Sequence, residues 1–125
     1  MIISSQRREQ LYKAHIKHRY THQAWATKLK NKALQRAKTK NLEFDLTKDF
    51  ILKKLEKGIC EVTKLPLNLN GGTRKPLTPS LDRINPNFGY TKDNVQLVCC
   101  MYNFAKSDFT YEDVLQMAQA LVENK

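Results

Sequence analysis

Between Gln6 and Lys40 the chain holds no proline or glycine, and Leu11, Ala14, Tyr20, Ala24, Trp25, Leu29, Ala33 and Leu34 recur among charged residues at mostly helical intervals. The spacing predicts one long helix or two in succession, with Trp25 and the leucines as a stripe packed on the rest of the molecule. The segment Asn41 to Asp45 breaks the pattern. Thr47 then offers a cap for a helix running to Lys57, with Leu46, Phe50, Ile51 and Leu55 on one face and Gly58 at its C-terminal stop. Ile59 to Val62 alternates over one short strand, and Asn68 to Pro79, with its paired glycines, reads as a loop. Ser80 to Ile84 and Val95 to Val98 read as two strands joined by a long, turn-rich loop, followed by a helix from about Cys99 to Lys106. Thr110 opens a last helix, with Asp113 in the place of a capping-box glutamate and an apolar stripe of Val114, Leu115, Ala118, Leu121 and Val122.

A length of 125 residues is enough for one core, and 41% hydrophobic with 27% charged residues is a globular composition. The chain lacks the run of roughly 18 apolar residues that a membrane span needs, and its start lacks the apolar stretch of a signal peptide. A membrane partner is therefore not expected. Cys60, Cys99 and Cys100 form neither an even disulfide framework nor a pair of Cys-x-x-Cys motifs. They read as reduced thiols in a cytoplasmic protein.

Charge changes the picture more. Residues 1–40 hold eleven of the 22 Lys and Arg residues against the single acid Glu9, whereas residues 41–125 balance eleven bases with eleven acids. The whole formal surplus of +10 thus lies in an N-terminal arm. Such asymmetry points to a polyanion, because each phosphate neutralised releases counterions; the alternative is a solvated basic helix. Lys28, Lys30, Lys32, Arg36, Lys38 and Lys40 are the arm's candidate nucleic-acid contacts, and Arg74 and Lys75 are candidates in the loop before the first strand.

The strand, loop, strand and helix place Asp82 near the end of the first strand and Asn103 within the helix. A carboxylate and an amide carbonyl converging there suit a hard cation such as Mg²⁺, which takes few protein ligands and completes its shell with water and phosphate oxygen. Lys106 lies three residues beyond Asn103 on the same helical face, placed to hold a phosphate or to steady the site. The plainer alternative for Asp82 is a turn or capping residue.

These residues resemble the HNH, or ββα-metal, endonucleases. The likeness rests on Leu81-Asp82-Arg83-Ile84, Gly89-Tyr90, Asn94-Val95-Gln96-Leu97 and Asn103-Phe-Ala-Lys106-Ser-Asp108, taken in order, and in particular resembles small phage-type members over roughly residues 33–120. Arg36-Ala-Lys, Phe44-Asp-Leu-Thr47 and Cys60-x-x-Thr63 upstream are similar too. The resemblance implies an α+β, mostly helical domain in which a ββα-metal unit in residues 41–125 carries a basic helical arm, residues 1–40. It implies that Asp82 and Asn103 ligate one Mg²⁺ or Mn²⁺, that Asn94 braces the loop between the strands, and that the substrate is double-stranded DNA, cut to leave 5′-phosphate and 3′-hydroxyl ends.

Two positions depart from the family pattern. The general-base histidine that follows the ligand aspartate is replaced by Arg83, whose guanidinium stays protonated and cannot take a proton from water. Either Arg83 clamps phosphate while another group activates water, or the protein is a catalytically disarmed DNA-binding scaffold. His15, His18 and His22, on one side of the arm, are the only histidines; they read as phosphate-facing residues, with delivery of a base or a separate metal site as alternatives. Zinc is the second departure. Cys60 and Cys99 are each followed three residues on by a non-cysteine, Thr63 and Tyr102, so no structural zinc is expected and the arm is expected to supply the missing core. Target site, strand count and oligomeric state have no signature in the chain.

Overall fold

The computed structural model describes residues 4–72 and 74–125, with the side chains of residues 14–20 outside that description. His15 and His18 therefore lie outside the described side chains. The basic arm is one helix, α1 (Ser5–Lys40), about 54 Å long at about 1.5 Å per residue. Ser4 caps it by accepting the Arg7 N–H, and Asn41 ends it in the left-handed conformation with φ 54°. Trp25, Ala26, Leu29, Ala33 and Ala37 form its buried face, and the three alanines let the rest of the molecule approach the helix closely. The Trp25 indole N–H donates to Leu69 O at 2.8 Å, pinning the glycine-bearing loop against the helix.

Helix α2 (Lys48–Lys57) is capped by Thr47, whose hydroxyl accepts the Phe50 N–H at 3.1 Å, and Gly58 closes it at φ 71°. Its Ile51 and Leu55 are fully buried in the core shared with α1. Residues 59–62 do not form the expected strand. Ile59 makes a single bridge to Pro66, and the turn between them is held by Thr63 N–H on Cys60 Sγ at 3.4 Å. The pairing stops at that bridge, flanked by the Cys60 N–H on Leu65 O at 2.8 Å and the Leu67 N–H on Gly58 O at 2.9 Å. Glu61 ties this turn outward, accepting from Lys54 Nζ on α2 and from the Leu97 N–H.

Strands β1 (Pro79–Arg83) and β2 (Val95–Cys99) pair antiparallel with Leu81 opposite Leu97 and Asp82 opposite Gln96. Helix α3 (Cys100–Lys106) follows directly and packs back on both strands. The architecture is thus mixed α+β, mostly helical, with a two-stranded antiparallel sheet among the described residues. None of its helices is long and apolar enough to cross a membrane among the described residues.

A second buried cluster joins Cys60, Val98, Cys99 and Tyr102. The two positions that depart from a zinc pattern, Thr63 and Tyr102, thus lie beside the two cysteines, and Tyr102 fills the space with a ring. Its hydroxyl is buried and has no hydrogen-bond partner among the described residues. Burial, reinforced by the nearby Asp82 charge, pushes that phenol up to about 12. Helix α4 (Tyr111–Glu123) has the expected capping box between Thr110 and Asp113. Its stripe is not core, however: Val114 packs on the second cluster, while Leu115, Leu121 and Val122 remain exposed.

Replacing Tyr102 by Phe removes an unpartnered buried hydroxyl, and is expected to raise the urea unfolding free energy at neutral pH by about 1 kcal/mol. The folded phenol titrates above the unfolded value of 10, so the natural protein binds more protons than its unfolded chain between pH 10 and about 12. Stability from this group is intact below pH 10 and is lost as pH rises through that window, by roughly 2 to 3 kcal/mol. Unfolding curves across the window should be flatter for Tyr102→Phe.

Candidate nucleic-acid interface and metal site

The end of β1 and the end of α3 meet in a buried ion pair. Lys106 Nζ lies 3.1 Å from Asp82 Oδ1, with the two side chains 2% and 3% exposed. The ammonium also donates to Arg83 O at 2.8 Å, and Asp82 Oδ2 accepts from Gln96 Nε2 at 2.9 Å, directly across the ladder. Each carboxylate oxygen therefore has one protein partner and keeps further acceptor capacity. Asn103, one helical turn before Lys106, donates its amide nitrogen to Ser80 Oγ at 2.6 Å and to Leu81 O at 3.2 Å. With the nitrogen turned to the strand, the carbonyl oxygen is the end left for a ligand.

Asp82 and Asn103 line the same cavity, of about 300 Å³, with Arg36 and Lys40 of α1 on its wall. A carboxylate oxygen and an amide oxygen on one cavity are a hard donor pair that fits Mg²⁺ or Mn²⁺ completed by water and phosphate. Because Lys106 neutralises Asp82, positive groups on the wall rather than a surplus of carboxylates set the local field. Asn94 sits away from that cavity and holds the loop instead. It accepts the Asn85 N–H at 2.9 Å and donates to Asn85 O and Gly89 O at 3.0 and 2.9 Å. Gly89 is needed there, since a Cβ would run into the backbone of Glu43. The Tyr90 N–H donates to that same Glu43 carbonyl at 2.9 Å.

Arg83 lines the cavity, but part of its guanidinium is already committed. One terminal nitrogen donates to Pro86 O at 2.7 Å and to Phe88 O at 3.2 Å, and the group stacks 5.3 Å from the Tyr90 ring centre. Its remaining N–H groups are what it can offer a phosphate.

A second cavity, of about 180 Å³, continues from the first between α1 and the hairpin, lined by Lys28, Lys32, Arg36 and Arg74 among others. Lys28, Lys32, Arg36 and Lys40 recur every four residues and so form a row along one edge of the helix's buried face. Lys30 and Lys38, two residues off that row, are turned by about 200° to the other flank and line neither cavity among the described residues. Lys75 likewise lies outside both linings, and so does His22. The structure thus divides the basic candidates that sequence grouped together. It also adds Phe104, Ser107 and Asp108 to the cavity wall; Asn103-x-x-Lys106 spacing alone signals which helical face they share, but not that the arm comes to meet it. No family model, curated protein or solved structure matches the chain.

Breaking the ion pair tests its role in the fold. Lys106→Met strands a buried carboxylate and is expected to cost about 3 to 5 kcal/mol in urea unfolding, with Asp82→Asn costing less because the amide still meets Gln96 or Lys106. On DNA, replacing Lys28, Lys32, Arg36 and Lys40 by Gln should flatten the plot of log affinity against log salt by about 0.9 for each phosphate that the row no longer neutralises. Lys30→Gln with Lys38→Gln should move that slope far less in the same filter-binding series.

Proposed function

We propose that the protein is a divalent-metal-dependent endonuclease that hydrolyses phosphodiester bonds of duplex DNA, with β1, β2 and α3 acting as a ββα-metal unit. One observation carries the reading: the oxygens of Asp82 and Asn103 share a cavity with Arg36 and Lys40, at the end of a groove walled by the cationic row of α1. Asp82 and Asn103 would hold Mg²⁺ or Mn²⁺, which supplies charge stabilisation at the scissile phosphate and the departing 3′ oxygen when bound. Arg36, Lys40 and the uncommitted N–H groups of Arg83 hold the phosphate from the groove side. Lys106 fixes the Asp82 carboxylate in place by its hydrogen bond. Asn94 acts at a distance, keeping the hairpin loop in register with the end of β1. Asp108, the other carboxylate lining the cavity among the described residues, is the group assigned to accept the water's proton. The same reading carries an origin in a phage or mobile element and action in a bacterial cytoplasm.

One observation favours a second reading, a disarmed scaffold that binds DNA without cutting it. At the position where the family carries its base, Arg83 is spent partly on Pro86 and Phe88. A supercoiled-plasmid assay with Mg²⁺ or Mn²⁺ separates the two. Asp82→Asn, which spares the fold better than Asp82→Ala, is expected to reduce nicking at least a hundredfold while retaining DNA affinity. An inactive natural protein with activity gained in Arg83→His would instead establish the disarmed scaffold.

A further inference from the structure

Phe104 is 64% exposed, yet it stands where the two cavities join and lines both. The other aromatic rings of the groove are differently placed. Trp25 is buried with its N–H given to Leu69, and Tyr90 is buried beneath Arg83. Phe104 therefore offers an open apolar face in a channel whose wall also carries Lys28, Lys32, Arg36, Lys40, Arg74 and Arg83. Bases stacked within a duplex present no face to such a ring, whereas an unpaired base does, and base–aromatic stacking beside a basic track is how single strands are held. The row opposite has a matching pitch: each four-residue step along α1 is about 6 Å, close to the spacing of successive phosphates on one strand.

We propose that this groove takes an unpaired stretch of DNA, such as a gap, flap or branch, with one strand's phosphates following Lys28, Lys32, Arg36 and Lys40 and a base stacked on Phe104 next to Asp82. The placement of that base beside a scissile bond rests on the nuclease reading; the stacking does not. Binding is measured without divalent metal, by fluorescence anisotropy of a labelled single strand, the matching duplex and an RNA strand of the same sequence. A second single strand carries 2-aminopurine as a stacking reporter.

The single DNA strand is expected to bind at least tenfold tighter than the duplex and to show quenched 2-aminopurine emission. Phe104→Ala should lose about tenfold on the single strand and the quenching with it, with duplex affinity within twofold of the natural protein, while Phe104→Trp restores both. Because the ring is exposed, Phe104→Ala should unfold at the same urea midpoint. Equal losses on single strand and duplex, unquenched 2-aminopurine, or tighter binding of the duplex or of RNA would overturn the proposal. Plasmid nicking with failed stacking would leave a duplex nuclease, and stacking with no nicking would leave a single-strand-binding groove, so the two readings fail separately.

Discussion

The Asp82–Lys106 pair is the constraint on which the site depends. An ion pair this deeply buried gains attraction from its low-dielectric surroundings but gives up the hydration of two charges, so its net contribution to stability is small compared with the penalty for breaking it. What it does supply is placement. It joins the last turn of α3 to the end of β1, and Asn103, one turn earlier, is thereby held against Ser80 and Leu81. The aspartate that a cation would use is already neutralised, so attraction for a metal with phosphate must come from the groove around it.

That groove exists because α1 is both arm and core. Its buried face carries alanines where the hairpin and α2 approach, and the row from Lys28 to Lys40 runs along the edge of that face. Cations so placed flank the cavity while remaining exposed to solvent. The hairpin loop on the other side is fixed by Asn94 and by backbone bonds between Tyr90 and the Glu43–Asp45 segment. Arg83 takes part in the same bracing, which makes it as much a loop anchor as a phosphate ligand.

Much of this was legible along the chain. Thr47 and Thr110 as caps and Gly58 as a stop are local signals, decided by hydrogen-bonding geometry within a few residues, and they appear where expected; of the packed stripe expected on α1, Trp25 and Leu29 are core whereas Leu11 is exposed. The strand expected at residues 59–62 failed because alternation says nothing about whether a partner strand is within reach. Helix α4 forms with its cap as expected, but amphipathic spacing marks a helix's apolar face and not whether anything covers it, and most of that face is exposed.

By itself, then, the sequence determined the helices and their ends, the hairpin, the confinement of the positive surplus to the arm, and the residue types of the candidate site. Those properties are local or additive. Only the tertiary structure decided that Lys28, Lys32, Arg36 and Lys40 share a groove with Asp82 while Lys30 and Lys38 do not, that Arg83 is tied to its own loop, and that Phe104 stands open between two cavities. Each of these depends on how α1 rotates about its axis and where it crosses the hairpin. That choice is made by the packing of Trp25, Leu29 and the alanines against residues far away in the chain.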